Sequence, residues 1–288
     1  MKKPYGLLDL IFIITLIGCS RANPDVSSNA DVGHGSSPTD QNALSSPSVV
    51  RRTLTVFAAA SLTGAFQEIG KDFEANTPGV SMRFNFAGSQ ILRVQIEQGA
   101  SADVFASADH KNIDMLVTDR LIALDSYQDF VTNKLVVILP VGNPGKVDTL
   151  GDLARPHLKL VIADTSVPAG NYARQILSKM SEDPTYGVEF KSKVLLNLVS
   201  NETDVKQVVA KVELGEADAG IVYHSDAIAS PGLIAITIPD EYNVTARYPI
   251  AILTDAPEAQ LAEAFIAFIL SPAGQEVLSK WGFTSIAH

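Results

Sequence analysis

From Leu54 to Lys280 short β-rich runs alternate with segments of helical apolar period, and that alternation restricts the chain to an α/β architecture. The expected strands are Leu54–Phe57, Val80–Phe86, Val104–Ala106, Lys134–Leu139, Leu158–Ala163, Leu195–Val199, Ala219–Val222, Ile234–Ile238 and Tyr248–Leu253. Helical patterns fall between them at Leu62–Asn76, Gln90–Gln98, Lys111–Thr118, Asn171–Lys179, Asp204–Leu214, Glu258–Leu270 and Ala273–Lys280. Strands separated by helices predict mainly parallel sheets.

Two of these strands read as crossings between lobes. Lys134–Leu139 is followed by Pro140 and the breaker-rich Gly142-Asn143-Pro144-Gly145, and Tyr248–Leu253 closes the middle section. Lobe one is then 52–135 plus 249–288, and lobe two is 136–248, with the C-terminal helices returning to lobe one. Ligands of open α/β sheets bind beyond the carboxyl ends of the strands, where helix N-termini gather. Here that place is the cleft between the lobes.

The N-terminal fifth of the chain has a different character. Met1-Lys2-Lys3 is a basic start, and Leu7–Ile17 is largely apolar apart from Asp9. That run falls short of the about 20 residues a spanning helix needs and has the layout of a secretory signal. Leu16-Ile17-Gly18-Cys19 resembles the lipobox of bacterial lipoproteins. The resemblance implies that 1–18 is a cleaved signal peptide and that Cys19 carries a lipid, which places the protein outside the cytoplasm, anchored to a membrane. A plain signal peptide, or an anchor that retains Cys19, is the other reading. Residues 19–51 are dominated by Ser, Asn, Pro, Asp and Gly, too polar to offset the entropy of ordering, so a flexible tether is expected. Cys19 is the one cysteine in 288 residues, so no intramolecular disulfide can form. With a net charge of −10 and no basic cluster, the chain is unsuited to nucleic acid. An anionic ligand would have to be held by local dipoles, not by long-range attraction.

Five strand-to-helix junctions share one chemistry. In Thr55-Val-Phe-Ala-Ala-Ala-Ser-Leu-Thr63 a strand ends in three alanines and Ser61 opens a helix. Such a serine caps the helix, or offers its hydroxyl and the first-turn N–H groups to an anion. Phe86-Ala87-Gly88-Ser89 repeats the pattern, with Gly88 permitting close backbone approach and Ser89 offering a hydroxyl and an N–H. In Val167-Pro168-Ala169-Gly170-Asn171, Pro168 cannot donate while Ala169 and Gly170 can. Asn201-Glu202-Thr203-Asp204-Val205 starts a further helix, with the cap at Thr203–Asp204 pointing away and Val205 in the first turn. Gly220-Ile-Val-Tyr223 ends a strand where the Tyr223 phenol can face the cleft. Singly, each is an ordinary cap, turn or core aromatic. Together they supply neutral donors from both lobes, which suits a fully ionised tetrahedral oxyanion that offers only acceptors.

At these residues the chain resembles the molybdate-binding proteins of bacterial ABC importers. The resemblance is carried by Val56-Phe-Ala-Ala-Ala-Ser-Leu-Thr63, Phe86–Ser89, Ala102-Asp-Val-Phe-Ala-Ser-Ala-Asp109, Val167–Gly170 and Gly220-Ile-Val-Tyr-His-Ser-Asp-Ala227, with Tyr248–Ala251 and Trp281–Thr284 fitting the C-terminal part. It covers essentially all of 52–288. It implies a two-lobed periplasmic-binding-protein fold of type II, joined by two crossing strands and closing on molybdate or tungstate. It also implies that Ser61 and Ser89 donate through hydroxyl and N–H, Ala169 and Val205 through N–H, and Tyr223 through its hydroxyl. Molybdenum would be present only as the bound oxyanion, without side-chain ligation and with no cofactor. The partners implied are the permease subunits, and a monomer is expected. Two departures stand out: Gly88 replaces a small hydroxyl residue common in the family, and Glu182–Phe190 reads as an insertion that lengthens a surface loop.

Other candidates are weaker. His34, His110, His157, His224 and His288 show no metal spacing, and only His224 falls near the expected cleft. Asp103 and Asp109 flank a strand end, where they read as a strand-edge group and a helix cap more simply than as an acid/base pair. Trp281 and Phe283 are expected to pack lobe one. An enzyme on the same fold would need a cofactor or a paired acid and base in the cleft. A regulator's ligand-sensing domain would need a DNA-binding segment. A binding protein for another tetrahedral oxyanion such as sulfate differs only in cavity size.

Overall fold

The computed structural model describes residues 51–124 and 126–286. The signal-like start, Cys19 and all but the last residue of the expected tether lie outside the described residues.

The first stretch forms β1 (Arg52–Ala59), a 3-10 turn (Ala60–Leu62), α1 (Thr63–Asn76), β2 (Val80–Ala87), α2 (Ser89–Glu97), β3 (Val104–Ala106), α3 (His110–Thr118) and β4 (Gln128–Asn133). The middle forms β5 (Leu135–Leu139), a second 3-10 turn (Leu150–Ala154), β6 (Leu160–Ala163), α4 (Pro168–Glu182), α5 (Phe190–Leu196), β7 (Leu198–Glu202), α6 (Val205–Glu213), β8 (Ala219–Tyr223), α7 (His224–Ala229) and β9 (Ile234–Thr237). The chain closes with β10 (Ala246–Ile252), α8 (Ala259–Leu270), α9 (Pro272–Lys280) and β11 (Thr284–Ser285).

The strands make two sheets, one of six in the order β11-β4-β10-β3-β1-β2 and one of five in the order β7-β6-β8-β5-β9. Each has a parallel half: β1 beside β2 and β3, and β6 beside β7 and β8. The remaining pairings are antiparallel, so the sheets are mixed and not mainly parallel. The cause is the passage between sheets. β4 ends at Asn133 in one sheet and β5 starts at Leu135 in the other, with Lys134 alone between them. The return runs between Thr237 and Ala246. The strand expected to make that return, β10, lies wholly in the six-stranded sheet, paired to β3 and β4.

Four elements differ from the sequence expectation. β4 was not anticipated, because only Phe130 and Val131 are large apolar residues in Gln128–Asn133; its pairing to β10 and β11 decides its state. Leu195 belongs to α5 and not to a strand: Phe190 and Val194, four apart, are the buried positions of a helical turn. The short α7 and β11 follow from tertiary packing. The Glu182–Phe190 segment is the expected surface connection, a run of turns with Val188 exposed, and packing pins it to the fold. Tyr186 packs on the rings of Phe190 and Tyr242, 4.8 and 5.6 Å between centroids, and the Tyr242 hydroxyl donates to Asp183.

The core under the six-stranded sheet is aromatic. α1 buries Ala65, Phe66, Ile69 and Phe73 on one face. Phe66 meets Phe84, Phe130 and Phe265 at 5.8 to 6.4 Å between ring centroids. Each such ring taken from water stabilises the fold by about 1.5–3 kcal/mol. Trp281 anchors α9 on α1, donating its indole N–H to Glu68 Oε2 at 2.8 Å. No single described helix is long and apolar enough to cross a membrane.

Candidate functional site

The residues of β1 become small as the strand ends, and Ala59, Ala60 and Ser61 are all buried. α1 begins only at Thr63, and its N-cap, Leu62, makes no side-chain cap. Ser61 is therefore not a helix cap. Its Oγ lies instead 2.9 Å from Tyr248 Oη. Ser89 departs from the capping pattern too. Gly88 holds the N-cap position of α2, and Ser89 Oγ accepts the Ala108 N–H at 3.0 Å. With its oxygen occupied from inside the protein, the Ser89 hydroxyl has its proton left to give.

The other three junctions keep their expected form. Pro168 opens α4, and the first bond that closes the turn runs from Asn171 N–H to Val167 O at 3.0 Å. The N–H groups of Ala169 and Gly170 precede it, among the donors a helix start leaves unmatched. Gly170 is required here: a Cβ would lie 2.0 Å from Asp164 O and 2.3 Å from Ala163 O. Asp204 caps α6, its Oδ1 accepting from Lys206 N–H at 2.9 Å and Gln207 N–H at 3.2 Å. Its Oδ2 accepts from the Gln207 side chain at 2.8 Å. The Val205 N–H stands just before that capped pair. Tyr223 ends β8 and is 1% exposed.

All five expected residues, Ser61, Ser89, Ala169, Val205 and Tyr223, line one small cavity. Ala59, Ala60, Gly88 and Ala108 supply small walls between them, and Asp204, which already accepts three hydrogen bonds, is the one charged lining residue. Tyr223 Oη makes no hydrogen bond of acceptable distance and angle to any protein atom, although Tyr248 stands close enough to weigh on its ionisation. Burial, and then the neighbouring Tyr248, Tyr172 and Asp109, push the Tyr223 phenol well above its ordinary value, so it stays protonated. The nearest cation along the chain is already matched: Lys206 Nζ pairs with Asp226 Oδ1 at 2.9 Å. Burial raises the Asp226 carboxyl, and Lys206 opposes that shift.

Gly88 also has a structural reason. A Cβ there would lie 2.6 Å from Thr203 O and from the Gln90 side-chain amide. Its absence lets Gln90 Nε2 donate to Thr203 O at 2.8 Å, a bond from α2 to the far side of the cavity.

The remaining candidates serve the scaffold. His224 Nδ1 faces Gly282 O at 3.2 Å and lines a different cavity. His110 pairs with Asp129 at 2.6 Å. Asp103 accepts the N–H groups of Thr55 and Glu258 at 2.7 and 2.8 Å, tying β1 to the start of α8. Asp109 caps α3 through Asn112 N–H at 3.1 Å. Among the described residues no group of three His, Cys, Asp or Glu side chains could hold a metal ion. Sequence reasoning gave no role at the site to Tyr248, which meets Ser61, or to Asn133, and both are buried. No local pattern marks them, since Tyr248 meets Ser61 across 187 residues of chain.

Comparison with known proteins matches residues 54–284 to the family described as bacterial extracellular solute-binding protein. The chain is 38% identical to the molybdate-binding protein ModA of Mycobacterium tuberculosis (strain ATCC 25618 / H37Rv) over 279 residues, 96% of each. The periplasmic molybdate-binding protein of Azotobacter vinelandii superposes with a TM-score of 0.71 at 23% identity, over 81% of this chain and 100% of that one. The sulfate-binding protein SubI of M. tuberculosis H37Rv superposes at 0.74 with 16% identity, over 82% and 88%. These two superpositions speak to fold alone.

Proposed function

The chain belongs to the bacterial extracellular solute-binding proteins, and from that premise we propose that its cavity captures molybdate, one ion per chain, for delivery to an ABC importer. It is a solute-binding protein and not an enzyme. Tungstate, with the same shape and charge, is the second ligand of this proposal.

The observation that carries the reading is the polarity of the cavity. Ser89 has its proton free to give, Tyr223 Oη has a proton and no protein acceptor, and the Ala169 and Val205 N–H groups lead their helices. Bringing a dianion out of water is costly unless its oxygens meet donors, and charge-assisted donors at helix starts offset that cost. A protonated oxyanion would need an acceptor, and the one carboxylate on the wall is engaged by Lys206 N–H, Gln207 N–H and the Gln207 side chain. Hydrogen phosphate therefore fits poorly. Sulfate shares the donor logic and is the second reading. The 38% identity to a molybdate-binding protein over 96% of the chain supports molybdate as the first reading.

Titration calorimetry with molybdate, tungstate, sulfate and phosphate tests the assignment. Tight, one-to-one binding of the first two is expected, and strong sulfate heat without a molybdate response would refute it. We further propose that Cys19 is acylated and tethers the folded part outside the cytoplasm. A Cys19→Ala protein should leave the membrane fraction; its retention there would contradict the anchor.

A further inference from the structure

Ser61 Oγ and Tyr248 Oη lie 2.9 Å apart, and both side chains are buried. One hydrogen bond joins two hydroxyls, so two arrangements exist. Either Ser61 donates to Tyr248 and shows the cavity a lone pair, or Tyr248 donates to Ser61 and frees the serine proton for the cavity.

The surroundings select the second. Lys134 N–H donates to Asn133 Oδ1 at 2.9 Å. A backbone N–H cannot accept, so this bond sets which end of the Asn133 amide is oxygen. Asn133 Nδ2 gives one hydrogen to Ser225 Oγ at 2.8 Å. Asn133 and Tyr223 both stand close enough to Tyr248 to weigh on its ionisation, and the Asn133 amide, its oxygen engaged by Lys134 N–H, has an Nδ2 hydrogen left to turn toward the phenol. A phenol oxygen that accepts from Asn133 has its own proton to place. Tyr223 Oη forms no hydrogen bond of acceptable geometry, which leaves Ser61 Oγ, at 2.9 Å, as the acceptor in reach. Burial pushes the Tyr248 phenol well above its ordinary value, so the proton is present throughout the neutral range. Ser89, whose oxygen accepts the Ala108 N–H, reaches the same state by a different route.

We propose that Tyr248, backed by Asn133, is a positioning residue that holds Ser61 as a donor toward the cavity and so selects fully deprotonated oxyanions over monoprotonated ones. The chain of contacts starts at Lys134, the residue that joins the two sheets, and ends at the cavity wall. Neither Tyr248 nor Asn133 has to touch the ligand. The proposal rests on reading the cavity as the oxyanion site.

A double-mutant cycle of Ser61→Ala and Tyr248→Phe tests it, with molybdate and phosphate as the titrants at neutral pH. Phenylalanine keeps the ring contacts of Tyr248 with Phe130 and Phe283, at 6.4 and 5.5 Å, and melting curves check that the unliganded variants remain folded. Tyr248→Phe alone should weaken molybdate binding by roughly ten-fold and narrow the preference for molybdate over phosphate, because a freely rotating Ser61 hydroxyl can then accept. In the Ser61→Ala background the same change should have little further effect, since the serine it acts through is gone. Losses that simply add, or equal losses for both anions, would overturn the proposal while leaving the site itself intact. A wild-type protein that binds neither anion would overturn the reading of the cavity, and this proposal with it.

Discussion

Replacing Tyr223 by phenylalanine removes a single oxygen from the cavity and leaves the ring where it packs, 5.7 Å from the ring of Tyr248. The change should act with opposite signs on the two states of the protein. In the unliganded protein the hydroxyl is buried and has no protein partner, and an unsatisfied buried polar group costs about 1–3 kcal/mol. Its removal should leave the melting temperature unchanged or raise it. In the liganded protein the same hydroxyl donates to a charged acceptor, a bond worth about 1.5–3 kcal/mol. Losing it should raise the dissociation constant for molybdate about 10- to 150-fold, at 1.4 kcal/mol per factor of ten. Calorimetric titration reads the second effect, and thermal denaturation without ligand reads the first. An unchanged affinity would mean that the phenol does not face the ion. A fall in unliganded stability to match the loss of affinity would mean that the hydroxyl is a structural bond, and the reasoning would fail.

The scaffold yields two further expectations. Gly170→Ala places a methyl 2.0 Å from a carbonyl oxygen, and backbone cannot yield as a side chain can, so α4 must shift. Destabilisation of about 1–3 kcal/mol and weaker molybdate binding should appear together, and an unchanged melting curve would contradict the packing. Glu202 is buried, which alone would raise its carboxyl, but Lys211 at 2.7 Å and the Ser200 hydroxyl hold it below the usual carboxylate value. A carboxyl lowered on folding contributes stability that is present above its unfolded value and is lost as pH falls through its folded one. Glu202→Gln should therefore flatten the acid limb of the melting temperature against pH; an unaltered limb would show that the pair contributes nothing.

The lining of the cavity was legible because its parts are local. Ser61, Ser89, Ala169, Val205 and Tyr223 each stand where a strand-like run leads into a helix pattern, and small residues flank Ser61, Ser89 and Ala169. The bonding within the site was not legible. Ser61 and Ser89 carry the sequence pattern of caps, yet α1 starts two residues after Ser61 and α2 is capped by Gly88. Their oxygens bind Tyr248 and the Ala108 N–H, partners that only the folded chain brings near. The fold shows the same division. The apolar strands Leu135–Leu139 and Ala219–Tyr223 agree with the sequence expectation to within a residue. The polar β4 and the Val194-Leu195-Leu196 stretch were not, because a ladder in one case and helical burial in the other outweighs local preference. The antiparallel pairings followed from the single-residue passage at Lys134, which no periodicity announces.

The central claim is that the donor-lined cavity holds the ion, and diffraction can locate the ion itself. Crystals grown with molybdate and measured at the molybdenum absorption edge should show one anomalous peak per chain. The account predicts that the oxygens around it lie at hydrogen-bond distance, about 2.7–3.1 Å, from the Ser61 and Ser89 hydroxyls, the Ala169 and Val205 N–H groups and Tyr223 Oη. A peak elsewhere on the chain, or an ion in the cavity neutralised by a lysine or arginine in place of these neutral donors, would contradict it.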